Sequence, residues 1–240
     1  MATQLPLSLL VLTAFALIAY LPSLSVPFVF DDIPNIVLNP AVQPAGIGDL
    51  SAVFHAPVGE TRPLALLSFA LNYLYGELDP SGYHAVNIAI HALNACLLFL
   101  LLKALTEAPR SPPGLRTRAL PFAFSAALLW AVHPVNTQAV TYIVQRMASQ
   151  AALFYLLALC VFALWRLGRM PGGLAWPVIV SAGLAGFFSK EHAVTLPAAL
   201  LLLDIALFRG WQRYHAWALA GLCGAAVLLG ALYAGSAFTQ

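Results

Sequence analysis

Asp31 and Asp32 stand side by side just beyond the first apolar stretch of the chain. A carboxylate at a membrane surface can serve as a general base if it reaches the proton it removes and is ionised at working pH. Two adjacent acids near lipid repel, which raises the pKa of one of them. The competing reading is structural: Asp32 precedes Ile33-Pro34, and proline favours the first turn of a helix that an aspartate would cap. Arg62, Arg146 and Lys190 are the candidate anion ligands. An arginine fork matches phosphate oxygens and lysine acts as a point charge, so the three together could hold a phosphate or pyrophosphate on a lipid head. Each alone could simply snorkel to headgroups. Glu191 follows Lys190 within Ser189-Lys190-Glu191-His192, where a local Lys190–Glu191 pair is the alternative. His84, Asn87, His91 and Asn94 recur at spacings of 3, 4 and 3, which sets them on one helix face. In hydrocarbon such a stripe either lines a polar cavity or hydrogen-bonds one helix to another. His133 belongs to the same polar end of the chain. No carboxylate lies at ligand spacing within that helix, so metal binding ranks last among the readings of the stripe. A divalent cation at Asp31–Asp32 stays open, and no cofactor is certain.

The elements that must position these residues follow from composition. The chain has 240 residues, of which 61% are hydrophobic and 8% charged. A soluble domain carries roughly 25% charged residues, so a water-soluble globule is excluded, and disorder is excluded by the same hydrophobicity. Apolar runs of about the length of a membrane helix, roughly 17–25 residues, lie near 5–22, 83–102, 119–133, 149–166, 174–189, 193–208 and 215–234. The sequence therefore predicts an all-α polytopic membrane protein of about seven transmembrane helices, forming a single transmembrane domain over 1–240. The first basic side chain is Arg62, so residues 5–22 lack the basic flank of a signal peptide and read as a retained helix. Cys96, Cys160 and Cys223 fall inside apolar runs and read as small hydrophobes.

Eight of the eleven Lys and Arg residues (Lys103, Arg110, Arg116, Arg118, Arg166, Arg169, Arg209 and Arg213) fall on one side if the spans alternate. The positive-inside rule makes that side cytoplasmic, with the N-terminus inside. Arg62, Arg146, Lys190 and most acids are then external. An excess of arginine over lysine, with abundant Ala, Leu, Gly and Pro, points to a bacterial inner membrane with the polar face periplasmic. The first external loop, about 23–82, is long enough to be functional. Its apolar run Leu64–Tyr75 reads as an interfacial helix, and 135–147 reads as a second one. Asp204, near the inner end of the sixth span, is expected to pair with Arg209. No phosphate-cradling loop, zinc-spaced Cys/His set, G-x-S-x-G elbow or basic nucleic-acid stripe occurs. Soluble nucleotide-linked donors are cytoplasmic, so chemistry on the outer face calls for a lipid-borne donor.

Several short motifs form an ordered series: Phe30-Asp31-Asp32, Arg62-Pro63-Leu64, Leu71-Asn72-Tyr73 and Gly82-Tyr83-His84 with Asn87, His91 and Asn94. His133-Pro134-Val135 with Thr137 and Arg146, then Lys190-Glu191, Thr195-Leu196-Pro197 and Asp204, continue it. Over about residues 20–210 this series resembles the N-terminal membrane half of the TMTC family and its bacterial relatives. Those are GT-C-type glycosyltransferases with tetratricopeptide repeats, more distantly similar to the protein O-mannosyltransferases. The resemblance implies transfer of a sugar, mannose in the best-known members, from a polyprenyl-phosphate carrier to a protein Ser or Thr hydroxyl. It implies Asp31 as the base with Asp32 beside it, and the external basic residues as ligands of the lipid phosphate. It implies inversion by direct displacement.

Gln138 stands where many relatives have Glu. The family's further helices and repeats do not occur before Gln240, so the chain reads as a fragment, a split gene or a minimal module, with acceptor binding from a repeat-containing partner. The alternative function is a non-catalytic membrane assembly or anchoring subunit. A small transporter ranks below both, because little polarity lies at mid-membrane depth.

Overall fold

The computed structural model describes residues 4–54 and 62–209, and within them all regular structure is helical. Helix α1 (Gln4–Tyr20) runs on through a 3-10 turn at Leu21–Ser25. The chain then makes a π turn at Ile33–Val37 and 3-10 segments at Pro40–Val42 and Ile47–Phe54. There follow α2 (Pro63–Gly76), α3 (Pro80–Thr106), α4 (Pro113–Arg116), α5 (Ala119–Ala131) and α6 (Thr137–Thr141). The series ends with α7 (Arg146–Arg166), α8 (Gly172–Ser189) and α9 (Leu196–Leu203), which passes into a second π turn at Asp204–Phe208. Proline opens α2, α3 and α4, where its missing N–H costs nothing. Asp79 caps α3 by accepting from the Ser81 backbone N–H at 3.0 Å.

Five helical stretches are long and apolar enough to cross a membrane: Gln4–Ser25, Pro80–Thr106, Ile143–Arg166, Gly172–Ser189 and Glu191–Phe208. A sixth crossing arises if Ala119–Ala131 and Pro134–Thr141, bent by 50° at His133, form one span. The chain is thus an integral, all-α polytopic membrane protein. The expected span at 215–234 lies outside the described residues, as do Glu60, Arg213 and Cys223.

Helix α3 is the axis of the bundle, packed by α1, α5 and α7. Helix α8 lies along α7 with a narrow face of Ala175, Ile179, Ala182, Gly186 and Ser189. Gly186 is required there, because a Cβ would meet the Ala193 Cβ at 3.2 Å and the Ala151 carbonyl at 3.6 Å. Small residues allow this close approach, as is usual between membrane helices. The first loop is a folded cap. Ile36, Val42 and Val53 pack with Leu66 and Phe69 of α2, Tyr83 of α3, and Ile143 and Met147. The Leu64–Tyr75 run is helical as expected, but one of its faces is buried in this core.

The helix expected over 135–147 is instead broken into a 3-10 turn (Pro134–Asn136), α6 and another 3-10 turn (Ile143–Gln145). The break is at Tyr142, whose backbone is extended (φ −90°, ψ 110°). Carbonyls released by the break would be costly to leave bare. The Asn87 side-chain amide of α3 braces the break, donating to the Val140 carbonyl before it and to the Ile143 carbonyl after it, at 3.2 Å each; the Ile143 carbonyl also accepts the Arg146 N–H.

At the opposite end of the bundle, Lys103 and Arg169 both pair with Glu107. Burial raises the Glu107 carboxyl, but the two cations more than offset this and hold it below its ordinary range. Asp204, expected to pair with Arg209, also forms an ion pair with Arg166 of α7 across the bundle.

Candidate active site

Asp31, Asn35, Arg62, Val144, Gln145, Met147 and Lys190 line one cavity of about 100 Å³. Three of the charged residues singled out by sequence meet there, although they are brought together from the first loop, the start of α2 and the α8–α9 connection. Asp31 is exposed. The π turn that follows it places Asn35 beside it, with the Asn35 side-chain amide donating to the Asp31 carbonyl at 2.8 Å. Tyr142 holds the other side, where its hydroxyl accepts the Asp31 backbone N–H at 2.8 Å.

Asp32 has a different role from its neighbour. It is 1% exposed. One carboxylate oxygen accepts the Val29 N–H at 3.0 Å and the other accepts the Val144 N–H at 2.7 Å. It makes no side-chain cap to the turn at Ile33, so the capping expectation is replaced by a long-range bridge between the first loop and the entrance to α7. Burial pushes its carboxyl above the ordinary range, against the two backbone N–H groups and His84, which lower it. With both Asp32 oxygens held by backbone N–H groups, Asp31 is the member of the pair that lines the cavity. No group of three or more His, Cys, Asp or Glu that could hold a metal ion occurs among the described residues. Asp32→Asn removes one acceptor and turns an N–H donor toward a backbone N–H. It is expected to lower stability by about 1–3 kcal/mol, read as the thermal unfolding midpoint in detergent.

Arg62 and Glu191 form a two-pronged pair, Nε to Oε2 at 3.0 Å and Nη2 to Oε1 at 2.9 Å. Lys190 reaches the cavity wall, and no ion pair of Lys190 occurs among the described residues. Glu191 therefore partners Arg62 across the fold and not its neighbour Lys190.

Arg146 does not line the cavity. It is 0% exposed. Its guanidinium donates to Asn87 Oδ1 at 2.7 Å, Asn72 Oδ1 at 2.6 Å, the Ser68 carbonyl at 3.1 Å and the Tyr83 carbonyl at 2.9 Å. It lies over the rings of Phe69 and Tyr83, 4.7 and 5.5 Å from their centroids. Of the three basic residues expected to act together, Arg62 and Lys190 line the cavity and Arg146 is enclosed by protein acceptors.

The polar stripe of α3 serves the bundle. His84 Nε2 bonds the Val26 carbonyl at 2.9 Å, and His91 Nε2 bonds the Ala131 carbonyl at 2.8 Å between the rings of Tyr20 and Trp130. Asn94 donates to the Ser149 carbonyl at 3.0 Å. Asn87 joins Arg146 to the α6–α7 break. None of the four lines the cavity. His133 is exposed at the α5–α6 bend, where its Nδ1 accepts the Val135 N–H at 3.1 Å. Sequence reasoning missed Asn35, Gln145 and Tyr142. Asn35, four residues after Asp31 in a proline-initiated turn, carried a local signal; Tyr142 carried none.

A second groove, about 300 Å³ and mostly apolar, is lined by Leu98, Trp130, Ala152, Tyr155, Leu156, His192 and Thr195. His192 and Lys190 belong to the same α8–α9 connection.

No family model and no solved structure matches the chain. Among curated proteins, it is 34% identical over 202 residues to protein O-mannosyl-transferase Tmtc1 of Drosophila melanogaster, covering 80% of this chain and 22% of that protein. It is 33% identical over 208 residues to protein O-mannosyl-transferase tmtc2 of Xenopus laevis (82% and 24%). It is 30% identical over 207 residues to TMTC3 of Mus musculus (80% and 21%). The chain thus resembles the TMTC protein O-mannosyl-transferases over about four-fifths of its own length, while spanning less than a quarter of theirs.

Proposed function

We propose that this chain carries the catalytic face of a membrane glycosyltransferase that moves a mannose-like sugar from a polyprenyl-phosphate carrier to a protein Ser or Thr hydroxyl. The observation that carries the reading is the cavity itself, lined by a carboxylate (Asp31) and two cations (Arg62 and Lys190). A displacement at the anomeric carbon needs those two functions on opposite partners. The acceptor oxygen forms its bond to the sugar, its proton passes to Asp31, and the bond from sugar to phosphate oxygen breaks. The electron pair stays on the polyprenyl phosphate, whose growing negative charge Arg62 and Lys190 would stabilise. The chain then inverts the anomeric centre, with positioning supplying most of the acceleration.

At about 100 Å³ the cavity is smaller than the roughly 300–1,000 Å³ of ligand pockets, so a glycosyl phosphate needs it to open. The Arg62–Glu191 pair is partly exposed, 34% and 57% at the side chains, and such pairs are worth only about 0–1 kcal/mol. A phosphate can therefore exchange with Glu191 at little cost. The apolar groove lined in part by His192, two residues after Lys190, suits the isoprenoid tail. The segregation of basic residues favours an outer, periplasmic placement of this face and a cytoplasmic N-terminus.

The test is transfer from a polyprenyl-phosphate mannose to an acceptor protein by the full chain in lipid nanodiscs. Lys190→Ala is expected to raise KM for the lipid donor about tenfold, the loss of one charge-assisted contact of roughly 1.5 kcal/mol. A properly inserted chain without transfer, added alone or with a repeat-containing partner, would leave only the anchoring role.

A further inference from the structure

We propose that Tyr142, a residue outside the charged set, is the positioning residue that aims the Asp31 carboxylate into the cavity. The inference rests on Asp31 being the base. Tyr142 occupies the extended break between α6 and the Ile143–Gln145 turn, which frees its side chain to reach a residue 111 positions earlier. One bond fixes the phenol against Asp31: its oxygen accepts the Asp31 backbone N–H at 2.8 Å. The Asp31 side chain is near enough to raise the phenol's pKa, so the O–H is placed to donate to the carboxylate of the residue whose backbone the same ring holds.

The residue before Asp31 shows how firmly this corner is held. Phe30 has φ +47°, a left-handed conformation that costs a non-glycine residue about 1–2 kcal/mol. Its side chain is 85% exposed, so burial does not hold it there. Such strain persists where the surroundings over-determine the backbone, and it clusters at functional sites. The surroundings here are the Tyr142 bond to Asp31 on one side and the two Asp32 bonds, to Val29 and Val144, on the other. The Phe30 ring also meets the Tyr142 ring edge-on at 6.5 Å.

An exposed aspartate otherwise samples several rotamers, and only some bring an oxygen within hydrogen-bond reach of the acceptor hydroxyl. Tyr142 is a donor and not itself a base. Burial, together with the nearby Asp31 and Asp32 charges, raises its phenol above the ordinary value, so the proton stays in place at neutral pH.

The test uses the full chain in nanodiscs with Tyr142→Phe, which keeps the ring and removes the hydroxyl. Asp31 is labelled with a carbodiimide and an amine at fixed pH and quantified by peptide mass spectrometry. Sugar transfer is measured in parallel. The variant is expected to label Asp31 several-fold faster than the parent and to unfold at the same temperature within a few degrees. Its kcat is expected to fall about 10- to 100-fold, with KM for the polyprenyl donor unchanged. Unchanged labelling would overturn the inference, and so would unchanged kcat in an active protein. If the parent transfers no sugar, the base assignment fails separately, and the labelling ratio alone decides whether Tyr142 restrains Asp31.

Discussion

Asp31→Asn is expected to lower sugar transfer about 10²–10⁴-fold, the usual contribution of a positioned general base, while the protein inserts and unfolds as the parent does. The two halves of this expectation have separate causes. Asp31 is anchored through its backbone, whose N–H goes to Tyr142 and whose carbonyl takes the Asn35 amide. An isosteric amide keeps both bonds, and the exposed side chain carries no core packing. The lost group is the one carboxylate that, among the described residues, lines the cavity with Arg62 and Lys190. Single-turnover transfer from a polyprenyl-phosphate sugar gives the rate, and the thermal midpoint in detergent gives the stability. Asp32→Asn should show the converse, a lower midpoint, because Asp32 is a bridge between loop and helix. Transfer at the parental rate in Asp31→Asn would remove the base from the mechanism.

Arg146→Met should destabilise the fold by about 3–5 kcal/mol, the scale seen when one member of a buried charged constellation is removed. The apolar substitute fills much of the volume between Phe69 and Tyr83. It leaves the buried Asn87 Oδ1 and the half-buried Asn72 Oδ1 without their guanidinium donors, and the Ser68 and Tyr83 carbonyls with only their intrahelical N–H partners. Buried acceptors without partners carry their full desolvation penalty. Arg146→Lys should recover little, because an ammonium has three donors and cannot span acceptors arranged around a planar fork. Thermal unfolding and protease resistance read both variants. If Arg146→Met instead kept its midpoint and lost only affinity for the lipid donor, Arg146 would be a phosphate ligand and the cage would be incidental.

The two arginines show what can be read from a linear sequence. Hydropathy located the spans, since each apolar run reports its own burial without knowledge of its neighbours. Spacing showed that His84, Asn87, His91 and Asn94 share a face, and the bundle uses that face for hydrogen bonds. Whether a given cation meets solvent or a cage is a property of the partners. Arg62 and Arg146 look alike in sequence, but Asn72, Tyr83 and Asn87 converge on one of them and Glu191 on the other. Asp32 is a similar case. Its local context, an acid before Ile-Pro, is that of a helix cap, and its real partner, the Val144 N–H, is 112 residues away. Tyr142 could not be found from spacing, because its role arises from a helix break that side chains of α3 make affordable.

The Arg146 cage also bears on the order of biosynthesis. All four of its hydrogen-bond partners, Ser68, Asn72, Tyr83 and Asn87, precede it in the chain. When the ribosome delivers Arg146 to the membrane, the acceptors for its charge have already been made. Arg146 opens α7, and these acceptors offset the cost of burying its charge there. Asp32 has the opposite timing, since its partner at Val144 emerges more than a hundred residues later. The corner that presents Asp31 therefore closes only after α3, α5 and α6 have been synthesised, so a nascent chain carries no assembled base while its early helices are still being inserted.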